Sequence, residues 1–137
     1  MLLSFIANFT FLKDSMKNNH LKTDTDIVEM KKSEVRIIVE IIEYVPNSVV
    51  SKTIIKKTTG NVTVSSLAAG EELGEKKSPF DMFIQIIDGA AEVSINEKNY
   101  KLKLGEGIVI PAHASHCFHA NEQFKMISTI IKSGYED

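Results

Sequence analysis

Three histidines, His113, His116 and His119, recur every third residue late in the chain. An imidazole exchanges a proton near neutral pH, and its bare ring nitrogen can bind a metal ion. On a helix this spacing would gather the rings on one side. Pro111, just ahead of them, has no N–H to donate and instead marks a loop entering a strand. Along a strand His116 and Phe118 point one way and Cys117 and His119 the other, so the neighbouring thiol and imidazole do not readily share a proton. Cys117 then reads as a buried apolar group rather than a nucleophile. Lys52, Lys56 and Lys57 form a mild basic patch of the kind that is ordinarily a solvated face. No G-x-x-x-x-G-K-[ST], G-x-G-x-x-G or G-x-S-x-G run occurs, so nucleotide binding and serine hydrolysis lose their usual support.

The elements that must position these side chains are mostly strands. From Val49 onward apolar residues alternate with period two, and candidate strands cover Val49–Ile55, Asn61–Leu67, Met82–Ile87 and Ala91–Ile95. Further candidates are Tyr100–Leu104, Gly107–Ile110, His116–His119 and Phe124–Ile131. Turn signals separate them at short intervals, and no helical stretch intervenes, which predicts an antiparallel sandwich or barrel. Ahead of the strands, Ile37, Ile38, Ile41, Ile42 and Val45 fall at helical spacing, so a short helix is expected over Glu34–Val45, stopped by Pro46 and Asn47. Several strands are apolar on both faces, as in Phe83-Ile84-Gln85-Ile86-Ile87. Their outward groups need a cover, and a homodimer is the expected one, with the N-terminal helix as competitor.

Turn residues carry a longer-range pattern. Gly70-x5-Lys76-x-Ser78-x3-Met82-x6-Gly89 is followed, after fifteen residues, by Gly105-x5-Pro111-x-His113-x2-His116. This spacing resembles the two motifs of the cupins, G-x5-H-x-H-x3,4-E-x6-G and G-x5-P-x-G-x2-H-x3-N, over roughly Val49 to Ile131. The runs Ser78-Pro79-Phe80-Asp81, Ile110-Pro111-Ala112 and Phe124-Lys125-Met126 look like those of small single-domain bacterial cupins. The resemblance implies an all-β fold, a cupin-type antiparallel β-barrel or jelly roll, here preceded by a short helix and an apolar arm.

In metal-dependent cupins the chemistry lies with the histidines and glutamate of these motifs. By resemblance the corresponding positions here are Lys76, Ser78, Met82 and His116, so three of four ligands are replaced. An ammonium repels a dication, a serine hydroxyl binds it weakly, and a thioether suits copper(I) rather than harder ions. No cofactor is therefore expected, and His116 is a metal ligand only if a metal is present at all. A triad of His113, His116 and Asp81 is conceivable, but Asp81 is one residue out of phase with Met82 and turns away from the cavity. His113 stands where the family has glycine, which implies an altered loop. The same mapping turns Lys76 and His116 into one cavity with Ser78 beside them, fit to capture a carboxylate or phosphate. Phe80, Met82, Ile84, Ile86 and Phe118 are the expected lining. The function expected is binding of a small polar or anionic molecule without a divalent metal, leaning away from an enzyme. The alternative is a metal-dependent dioxygenase or isomerase using His116 with other ligands.

Size and charge set the frame. With 137 residues, 43% hydrophobic and 25% charged, the chain suits a single barrel domain over residues 34–137, preceded by an arm and linker over 1–33. A formal charge of −2 makes nucleic acid an unexpected partner. The only cysteine cannot form an internal disulfide, which points to a reducing, cytoplasmic setting. Residues 1–12 are apolar, but Lys13 is the first cation and no small-x-small site follows. The run also falls short of the ~20 residues that cross a bilayer. It is expected to pack on the domain or on a second subunit, not to anchor in a membrane.

Overall fold

The computed structural model describes residues 28–135. The apolar arm expected over 1–12 lies outside them. Among the described residues nine strands form two antiparallel sheets packed face to face. They are β1 (Val49–Lys57), β2 (Gly60–Leu67), β3 (Glu72–Lys76), β4 (Met82–Gly89) and β5 (Ala91–Ile95). The rest are β6 (Lys98–Leu102), β7 (Gly107–Ile110), β8 (His116–His119) and β9 (Phe124–Ile131). The order is β1-β2-β9-β4-β7 in the five-stranded sheet and β3-β8-β5-β6 in the four-stranded one. Leu67, Ile84, Ile86, Val93, Phe118 and Phe124 are central to the core enclosed between them.

Strand edges follow local chemistry more closely than a simple reading of turns allows. Asn96 and Glu97 both adopt positive φ (49° and 69°), the two-residue turn whose twist suits a hairpin, so β6 begins at Lys98 rather than at Tyr100. The short strand β3 is not announced by alternation. It has a bulge between Leu73 and Lys76, and only Leu73 packs against the core. Gly89 sits at φ +71°, where a Cβ would fall 2.1 Å from the Gln123 carbonyl oxygen, so only glycine fits at that close approach of β4 to β9.

The expected helix over Glu34–Val45 is not there. Among the described residues this segment holds a single 3-10 turn at Ile38–Glu40 and otherwise crosses the outer face of the five-stranded sheet as a strap. Of the supposed apolar stripe, Ile42 is 1% exposed while Ile37 is 61% exposed. Seven β-branched residues in eleven positions, Val35 to Val45, favour extended over helical backbone. Side chains from the sheet also claim the strap's polar groups. Lys125 Nζ donates to the Val39 carbonyl at 2.7 Å and Ser66 Oγ to the Glu43 carbonyl at 2.9 Å. The Tyr44 hydroxyl donates to the Asp88 carboxylate, and Lys125 Nζ lies 4.9 Å above the Tyr44 ring. Burial, and then the neighbouring Asp88 carboxylate, push the Tyr44 hydroxyl above its ordinary range.

The strap changes the polarity of the sheet beneath it. On β2, outward Val64 and Ser66 are fully buried outside the main core. Inward Thr63 and Ser65 face the interior with Leu67, whose partner Phe124 is a core residue. The familiar arrangement of polar out and apolar in is thus partly inverted on this strand.

Candidate functional site

The site is built on β8 and the strands around it. His116 and Phe118 are buried and face one way, as strand phase predicts, while Cys117, expected to be buried, is partly exposed like His119 because it lies on the opposite face. The His116 ring, 5% exposed, stands edge-on to Phe118 with centroids 6.0 Å apart. Its Nδ1 lies 3.3 Å from the Ala114 carbonyl oxygen. A carbonyl only accepts, so Nδ1 carries the hydrogen in this contact, and a neutral ring leaves Nε2 as an acceptor. No other hydrogen-bond partner of this imidazole exists among the described residues.

The remaining positions implied by the resemblance divide into two groups. Ile84 is fully buried in the core, and Met82, partly buried, packs against it. Ile86 is buried as well. Lys76 pairs in register with His116 across β3 and β8, but its side chain is exposed. Ser78 and Phe80 belong to the loop between β3 and β4. The Phe80 amide donates to Ser78 Oγ at 3.1 Å, and the Phe80 ring meets Tyr135 edge-on at 5.6 Å.

This loop is tied to the one between β7 and β8. His113 N–H donates to the Ser78 carbonyl at 2.6 Å, and Ala112 N–H donates to Asp81 Oδ1 at 2.8 Å. The Asp81 amide in turn donates to the Tyr135 hydroxyl at 2.6 Å. The Ala112 amide, and then the Tyr135 hydroxyl, hold the Asp81 carboxyl below its usual range. His113 keeps the left-handed backbone, φ +71°, with its side chain exposed, so the loop retains a glycine-like conformation rather than being rebuilt.

The residues present do not fit a divalent metal. Among the described residues no group of three or more His, Cys, Asp or Glu side chains is arranged to hold one. Asp81 is exposed and engaged with the Ala112 amide. At the positions aligned with family ligands, one imidazole stands with an exposed ammonium, a hydroxyl spent on a turn and a thioether.

What alternation did not single out is a row of hydroxyls. Thr53, Thr63 and Ser128 lie opposite one another across β1, β2 and β9 and continue in register to Ile84 of β4. Since Ile84 is a core residue, the whole row faces the interior. None of these hydroxyls has a hydrogen-bond partner among the described residues, and all three residues are partly exposed. One step deeper, Ser51 and Ser65 satisfy each other at 2.8 Å. The signal was present in the sequence as the Thr63-x-Ser65 alternation of β2.

Comparisons with solved structures bear on the architecture. A conserved protein of unknown function from Streptococcus pyogenes shares 29% identity, over 78% of this chain and 94% of that one, at a TM-score of 0.73. A cupin superfamily protein from Desulfitobacterium hafniense shares 20% identity over 78% and 98% of the two chains, at 0.72. A cupin 2 conserved barrel domain protein from Leptotrichia buccalis shares 32% identity at 0.67, over 69% of this chain but 46% of that longer one. No family model and no curated protein matches the sequence.

Proposed function

With the cupin fold of this chain as premise, we propose that the barrel binds a small polar molecule at His116, without a divalent metal. The observation that carries this reading is the His116 imidazole, nine-tenths buried, hydrogen-bonded through one nitrogen and unpartnered at the other. A buried acceptor without a partner costs about 1–3 kcal/mol, and a ligand or water that donates to Nε2 offsets that cost. Lys76, beside His116 in register but exposed, is the group an anionic end of the ligand would meet first. The cytoplasm is the compartment of the same reading, supported by the free thiol of Cys117.

The test is a thermal-shift screen of small polar metabolites against the wild type and His116→Phe, which keeps a ring of similar size and removes both nitrogens. Hits should raise the wild-type midpoint, and that rise should be lost or more than halved in the variant. Hits indifferent to the substitution, or a high-resolution crystal structure with a solvent-free barrel around His116, would overturn the reading.

The same proposal includes a second copy of the chain. Its support is a continuous outward row, Ile55, Val62, Thr129, Phe83 and Val109, in register across all five strands of the larger sheet. Phe83 and Val109 there are 43% and 58% exposed, beyond the part the strap covers.

A further inference from the structure

The strongest unassigned feature is the unpartnered hydroxyl row on the wall of the barrel. Thr53, Thr63 and Ser128 stand on adjacent strands, which run about 4.8 Å apart, and each hydroxyl both donates and accepts. Asn61, inward on β2 two residues from Thr63, adds an amide without a partner among the described residues. The row continues into apolar Ile84, with Met82 one step along β4. The facing sheet, about 10 Å away as packed sheets stand, contributes His116 with its free Nε2.

Charge is sparse along this wall. At the inward register positions of β1, β2, β4, β7 and β9 the single charged residue is Lys56, opposite Asn61 at the end of β1 and already engaged, and those of β8 are His116 and Phe118. A carboxylate or phosphate seated against Thr53, Thr63 and Ser128 would lose its hydration with no cation in that row to meet it, since Lys56 is engaged and Lys76 is exposed. A neutral molecule carrying several hydroxyls meets no such cost. It can donate to and accept from the three protein hydroxyls, lay a C–H face on Met82 and Ile84, and donate one O–H to His116 Nε2.

We infer that the ligand is a neutral polyhydroxylated ring, a sugar or a cyclic polyol, held between the Thr53–Thr63–Ser128 row and His116. This rests on the binding reading above and narrows it, since that reading alone leaves an anion admissible. The test uses four probes, myo-inositol, D-glucose, D-galacturonate and glucose 6-phosphate, titrated while the His116 ring resonances are followed by NMR. The two neutral probes should shift them saturably and at least tenfold more tightly than the two charged ones. Thr63→Val with Ser128→Ala, near-isosteric changes on strands, should weaken the neutral probes tenfold or more while Lys52→Ala, exposed on the outer face of β1 opposite Val64, leaves them unchanged. Unaltered affinity in the hydroxyl-deleted variant, its fold verified by an unchanged amide spectrum, overturns the inference. So does tighter binding of the charged probes with dependence on Lys56 or Lys76, an outcome that leaves the barrel-binding reading intact. Failure of all four probes to move His116 also overturns the inference, and the metabolite screen with His116→Phe then decides the broader reading separately.

Discussion

His113 holds a left-handed backbone, φ +71°, that costs a residue with a Cβ about 1–2 kcal/mol relative to glycine. Its ring is exposed and only its backbone engages the opposite loop, so His113→Gly should stabilise the protein by about 1 kcal/mol, read as a higher denaturant midpoint with unchanged slope. Asp81 gives a pH dependence of known sign. Its folded-state carboxyl lies below the ordinary 3.8, chiefly through the Ala112 amide, so its contribution is complete above that value and is lost as pH falls through the lowered one. An NMR titration should place the Asp81 midpoint below 3.8, and Ala112→Pro, which removes the amide hydrogen, should raise it. At this scale the sequence was legible wherever strand phase alone decides: His116 inward, Cys117 outward, Asp81 turned aside. It did not reveal that Ser78 spends its hydroxyl on the Phe80 amide, because a turn of that kind depends on backbone geometry rather than on spacing.

The strap illustrates how an element can be misread from good periodicity. Isoleucines at i, i+1, i+4 and i+5 fit a helix, yet the same residues, all β-branched, prefer extended chain, and the sheet below supplies the hydrogen bonds a helix would have made internally. Removing one tie should loosen this element. Tyr44→Phe deletes the donor to Asp88 and should cost about 1.5–3 kcal/mol in chemical denaturation, with faster proteolytic cleavage between residues 37 and 48. Because the strap covers the outside of β2, apolar Val64 faces it and the hydroxyls face in. That inversion explains why the strands could be located from sequence while the polar wall of the site could not. Period two gives two faces, and only the tertiary cover says which is dry.

For the whole molecule, the glycines and Pro111 carried the architecture legibly, since their spacing marks turns that any side chain would strain. What lies against the outer row is a matter of assembly. With Phe83 and Val109 exposed at one end of that row, the protein should sediment as a dimer, and Phe83→Glu, which puts a charge where a second copy would bury it, should sediment as a monomer with the barrel still folded. The larger sheet has one more property with a bearing on how the molecule is made. Its middle strand, β9, comes last of the described strands and is flanked by β2 and β4, which have no pairing with each other. During synthesis the earlier strands therefore wait with two open edges until Ile131 has cleared the ribosome. Barrel closure waits for β9, and a nascent chain halted before Phe124 should be a substrate for chaperones or proteases rather than a smaller working protein.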